Sequence, residues 1–114
     1  FSQKAAAAAI QGPQDSVKMM LEEFKERSKI VVSGFNEING ISCIQPKGAF
    51  YAFPNIKDTG YKSQDLSDAL LKQGVAVLPG TSFGKFGEGY LRISFANSRE
   101  NLKKALNIIK EFLD

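Results

Sequence analysis

The sequence contains no histidine and no tryptophan, and it has a single cysteine, Cys43. Without histidine there is no Ser-His or Cys-His nucleophile pair and no imidazole proton shuttle. A Cys/His zinc cluster is excluded for the same reason, and no metal site is expected. One thiol forms no disulfide within the chain and points to a reducing, cytoplasmic setting. Apolar runs are short. None approaches the roughly 18 residues that span a bilayer, so no membrane partner is expected. Charge of one sign is scarce too: fifteen Lys and Arg against twelve Asp and Glu leave +3. That balance is too weak for a nucleic-acid surface. The opening Phe1-Ser2-Gln3-Lys4 has neither the order of a secretory signal nor an initiator Met. This start predicts a piece of a longer protein.

What is present fits one compact α+β domain of 114 residues. Ala5 to Ala9 is a run of strong helix formers, closed by Gly12 at a helix C-terminus, with Pro13 opening the next helix. That second helix is long, from Pro13 to about Ile38. Its apolar stripe comprises Val17, Met20, Leu21, Phe24, Val31, Phe35 and Ile38, lapses at Ser28 and is weakened at Gly34. Two short strands follow, Ile41 to Ile44 and Ala49 to Phe53, with turn chemistry at Gln45-Pro46-Lys47-Gly48 that would allow a hairpin. Ser63 caps a third helix, which Gly74 closes. Val75 to Leu78 reads as a short buried strand. Pro79 to Gly89 carries Gly80, Gly84, Gly87 and Gly89 and reads as an irregular loop. Along Tyr90 to Phe95, Leu91, Ile93 and Phe95 face one side and Tyr90, Arg92 and Ser94 the other. Asn97 caps the last helix, with Glu100 three residues on.

Few residues point to chemistry. Arg92 sits mid-strand opposite the apolar face, and its planar guanidinium fits a carboxylate bidentately. By spacing alone, an arginine on a solvated sheet face is the simpler reading. The preceding glycines, which let backbone approach a ligand, favour a role. That loop is no phosphate cradle: Gly80 and Gly84 are separated by three residues rather than four, Phe86 follows Lys85, and a strand comes next. Cys43, with no base beside it in sequence, reads as a buried inert thiol. Glu22, Glu23, Glu26, Lys103 and Lys104 read as solvated helix surface.

Six motifs in order carry a family resemblance. They are Gln3-Lys4-Ala5-Ala6, Gly12-Pro13-Gln14, Pro46-Lys47-Gly48-Ala49-Phe50-Tyr51, Gly74-Val75-Ala76-Val77-Leu78-Pro79-Gly80, Phe83-Gly84, and Gly87-Glu88-Gly89-Tyr90-Leu91-Arg92-Ile93-Ser94. Across essentially its whole length the chain resembles the C-terminal part of class I pyridoxal-phosphate aminotransferases, most closely the aspartate aminotransferase group. The resemblance implies a small, mostly antiparallel sheet packed on helices behind a long linking helix. It implies that residues 1–12 are a short helix left from the large domain and residues 13–114 the small domain. It implies that Arg92 binds the substrate's α-carboxylate, and that the parent, expected to be a homodimer, transfers an amino group between an amino acid and a 2-oxo acid. Aspartate is the first expectation for the donor; aromatic amino acids and alanine stay open. The Gly80 to Gly89 loop and the Gly48 to Tyr51 segment are expected near the same pocket, without a chemical role. The family's cofactor lysine and the residues that hold pyridoxal phosphate lie upstream of the matching segment. No residue here is therefore assigned a catalytic or cofactor-binding role, and this piece alone is expected to be inactive, with no cofactor bound. A stand-alone domain that binds small carboxylates or a protein partner is the alternative.

Overall fold

The computed structural model describes residues 1–114. Four helices and a three-stranded sheet follow one another as α1 (Ser2–Gln11), α2 (Asp15–Asn36), β1 (Tyr51–Ala52), α3 (Ser63–Lys72), β2 (Leu78–Pro79), β3 (Leu91–Ser94) and α4 (Arg99–Leu113), with 3-10 turns at Lys57–Thr59 and Gly80–Phe83. No helix is long and apolar enough to cross a membrane. β3 is central and both neighbours run antiparallel to it: Tyr51 pairs with Ser94, Ala52 with Ile93, Leu78 with Arg92 and Pro79 with Leu91. The alternation along β3 buries Leu91 and Ile93 and leaves Arg92 on the opposite face. The buried face, with Ala52 and Phe95, joins Val31 and Phe35 of α2, Leu66 and Leu70 of α3, and Leu102, Leu106 and Ile109 of α4 in one core. Each of the Val, Leu, Ile and Phe side chains contributes about 1.5–3 kcal/mol when fully buried.

Several local expectations are corrected. The two early strands do not pair as a hairpin. Ser42 bridges to Asn55, and the segment around Tyr51 joins β3 instead. The other edge of the Ile41 to Ile44 segment is held by Asn36, whose side-chain amide donates to the Cys43 carbonyl at 3.0 Å and accepts the Cys43 N–H at 2.8 Å. An amide at the end of α2 thus stands in for a neighbouring strand. Of the Val75 to Leu78 run only Leu78 is strand, and β2 takes in Pro79, the first residue of the expected loop. The lapse in the α2 stripe is no lapse: Ser28 is buried in phase with Val31 and Phe35, and its hydroxyl accepts a hydrogen bond from the Gln45 amide. Gly34 is where α4 crosses, since a Cβ there would overlap the Leu106 methyls. By contrast Val17, Met20 and Leu21 are exposed, and no residue of α1 is buried.

Capping differs as well. Gly12 is extended (φ −77°) rather than left-handed, and it is pressed against the Ala8 carbonyl where a Cβ would collide. α2 begins at Asp15, with Gln14 rather than Pro13 at its boundary. The Gln14 amide donates to the Ala9 and Gly12 carbonyls, which α1 leaves unpaired. α4 is capped by Ser98, not Asn97: the Ser98 hydroxyl accepts the Asn101 N–H at 3.1 Å. Asn97 lies one residue outside and accepts from the Ser98 N–H at 2.8 Å. Adjacent Asn and Ser are both good caps, so their order in the helix depends on the phase set by Leu102, Leu106 and Ile109. Gly74, at φ +87°, closes α3 as its sequence position implies.

Candidate functional site: an unpaired arginine between aromatic rings

The chain has three arginines. Arg27 and Arg99 both bind the Glu23 carboxylate, linking α2 to the start of α4. Arg92 has no carboxylate within ion-pair distance. Its guanidinium carbon lies 4.4 Å from the Tyr51 ring centre and 4.0 Å from that of Phe83. One ring comes from β1 and the other from the turn after β2, the two neighbours of β3. Aromatic faces attract a cation through their quadrupole and hold its plane. The N–H donors of a guanidinium point outward in that plane, so ring contacts leave them available to a planar anion. Half-buried Arg92 opens into a cleft of about 230 Å³ lined also by Tyr51, Ala76, Val77, Leu78 and Ser94.

The Gly80 to Gly89 loop is ordered by contacts that the sequence does not advertise. Gly80 and Gly87 touch backbone to backbone, and a Cβ on either would overlap the other's carbonyl. The neck is closed by the Gly80 N–H donating to the Tyr90 carbonyl at 2.8 Å and the Tyr90 N–H donating to the Gly87 carbonyl at 3.2 Å. Ser63 is the first residue of α3 rather than its cap, and it is fully buried. Its hydroxyl accepts the Gly89 N–H at 2.8 Å and the Tyr90 N–H at 3.1 Å. The Glu88 carboxylate supplies what Lys62, at the cap position, lacks: it accepts the Ser63 N–H at 2.9 Å. That backbone hydrogen bond leads the interactions that hold the Glu88 carboxyl below its ordinary range. Beyond the rings on Arg92, Phe53 stacks on Tyr90 at 5.3 Å and meets Phe83 edge-on at 6.3 Å.

The structure thus brings the two segments expected near the pocket, through Tyr51 and Phe83, onto Arg92. Sequence reasoning did not single out these two rings as its flanks, nor Ser63 and Glu88 as the loop's anchors. Alternation along the strands places Tyr51 and Arg92 on one face, but only the tertiary fold reveals Phe83, Ser63 and Glu88. Cys43 is buried and does not line the Arg92 cleft, and burial pushes its thiol up, as befits an inert group.

An antiparallel sheet with helices packed on one face and an unpaired arginine on the other defines an α+β domain. The chain belongs to the aminotransferase class I and II family, whose profile matches residues 1–109. It is 45% identical over its whole length to an aspartate aminotransferase of Pyrococcus horikoshii. In three dimensions it matches an aromatic aminotransferase from Pyrococcus horikoshii with a TM-score of 0.92 and 44% identity, over 97% of this chain and 30% of that one. An aspartate aminotransferase from Rhizobium meliloti matches with a TM-score of 0.90 and 38% identity, over 99% of this chain and 30% of that one. The chain spans about 30% of the length of the relatives it matches.

Proposed function

We propose that this chain is the C-terminal small domain of a pyridoxal-phosphate transaminase and that Arg92 binds the α-carboxylate of the amino acid and of the 2-oxo acid. In this reading residues 13–114 form the domain, residues 1–12 are a helix that packs with the large domain, and the parent is a cytoplasmic homodimer. The observation that carries it is the charge state of the site. Arg92 is the one arginine of this chain without a carboxylate partner, and it is held between Tyr51 and Phe83. A guanidinium spared an internal ion pair and steadied by rings is preorganised for an incoming carboxylate. The family match over nearly the whole chain weighs against a stand-alone binding domain.

Pyridoxal phosphate, when bound, supplies the electron sink that lets an amino group move between carbon skeletons. The residues of this chain do not suit its attachment, since no lysine lines the Arg92 cleft. The work of these residues is therefore binding, orientation and the exclusion of water by the rings on the guanidinium. Aspartate is the proposed donor, in keeping with several relatives named aspartate aminotransferase; the aromatic enzyme is nearly as similar.

Replacing Arg92 by lysine in the parent enzyme tests the assignment. A point charge loses the bidentate geometry, and kcat/KM for both substrates falls by at least about tenfold. Near-normal steady-state kinetics would refute the role of Arg92.

A further inference from the structure

Arg92 is held by two rings of different security. Tyr51 belongs to a strand paired with β3. Phe83 ends a 3-10 turn in a loop, and 46% of its surface is exposed. No strand pairing fixes Phe83. Its position depends on how the Gly80 to Gly89 loop is tied down, and that tie is made on the first residue of α3. The hydroxyl of Ser63 accepts two loop N–H groups and has its single proton within reach of both the Glu88 carboxylate and the Gly87 carbonyl. The Glu88 carboxylate returns to accept the Ser63 and Gly89 N–H groups. With Gly80 and Gly87 in backbone contact, moving the 87–89 end moves the 80–83 end as well.

We infer that Ser63 and Glu88 are positioning residues for substrate binding. Together they lock the Gly80 to Gly89 loop to the start of α3, and so hold Phe83 against the Arg92 guanidinium in its carboxylate-binding orientation. The inference rests on the reading of Arg92 as the carboxylate ligand. Neither residue lines the Arg92 cleft; both act through Phe83 and Arg92. The two parts are complementary. A buried hydroxyl with two accepted bonds and one donated is fully satisfied, and a carboxylate is the acceptor that the helix N-terminus lacks.

The test uses the full-length parent enzyme and its 2-oxo acid substrate. Glu88→Leu removes the acceptor, whereas Glu88→Gln keeps an amide oxygen that can accept the same N–H groups. Glu88→Leu raises KM for the 2-oxo acid about tenfold, with kcat changed by less than about twofold, and Glu88→Gln restores most of the loss. Phe83→Leu, at an exposed position that does not endanger folding, reproduces the KM effect. In an Arg92→Lys background, Glu88→Leu adds less than about twofold, because both act on one interaction. Four outcomes overturn the inference: an unchanged KM in Glu88→Leu, an unchanged KM in Phe83→Leu, failure of Gln to rescue, or an effect that multiplies fully with Arg92→Lys. If Arg92→Lys alone leaves KM and kcat unchanged, the carboxylate reading itself falls and takes the inference with it. An effective Arg92→Lys beside a silent Glu88→Leu sinks the positioning role only.

Discussion

At the scale of single residues, small size matters here more than flexibility. Gly34 lets α4 cross α2 at Leu106, and Gly80 and Gly87 meet backbone to backbone. Only the latter pair is met on both sides by atoms that cannot swing away, because a backbone carbonyl lacks the freedom of a leucine tip. Gly87→Ala is therefore expected to destabilise the isolated chain by about 1–3 kcal/mol, as overpacking does. A thermal or urea melt checks it, and an unchanged midpoint means that the loop neck is looser than the contact implies. The sequence shows the glycines but not their partners. Gly80 and Gly87 look like punctuation of an irregular loop, since nothing local says that residues seven apart will touch. Ser28 shows the same in reverse: it looks like a break in an apolar stripe until Gln45 appears above it.

Among elements, the join between α2 and α4 is part apolar and part ionic. Leu102, Leu106 and Ile109 meet Val31 and Phe35 in the core, while Glu23 receives Arg27 from its own helix and Arg99 from α4. Hydrogen bonds from Arg99 and then Arg27 hold the Glu23 carboxyl down at about 2, below the usual 4.5. A depressed carboxyl stabilises the fold while it is ionised. That contribution is complete above the ordinary carboxylate range and is lost as pH falls through about 2. Glu23→Gln is thus expected to lower the urea midpoint at neutral pH, and the gap to the parent sequence should close in strong acid. The groups are partly exposed, so the effect is small and shrinks in salt. A pH-independent gap in the melts rejects the ion-pair account.

For the molecule as a whole, the shape is lopsided. The chain measures 52 × 29 × 24 Å, yet no residue of α1 is buried and Val17, Met19, Met20 and Leu21 remain exposed at the start of α2. The buried residues of α2, Ser28, Val31 and Phe35, all lie in its second half. An isolated helix of ten residues is marginal in water, and its strong propensity does not rescue it. In the isolated chain the α1 amides are therefore expected to exchange hydrogen with almost no protection, while the second half of α2 exchanges slowly. Comparable protection in both contradicts the proposal that residues 1–12 pack with another domain.

The amino-acid sequence alone was enough for the helices α2, α3 and α4, the α+β class, the two faces of β3 and the standing of Arg92 as the residue to watch. These follow from periodicity, from helix and strand preferences and from one guanidinium opposite an apolar row, all of which are local. The folded structure alone decided which strands pair, that Asn36 replaces a strand, that Glu88 caps a helix 25 residues earlier, and that Phe83 covers Arg92. Those contacts join residues on different segments of the chain. Their energies depend on the distances that packing sets, and no spacing rule within a segment encodes them.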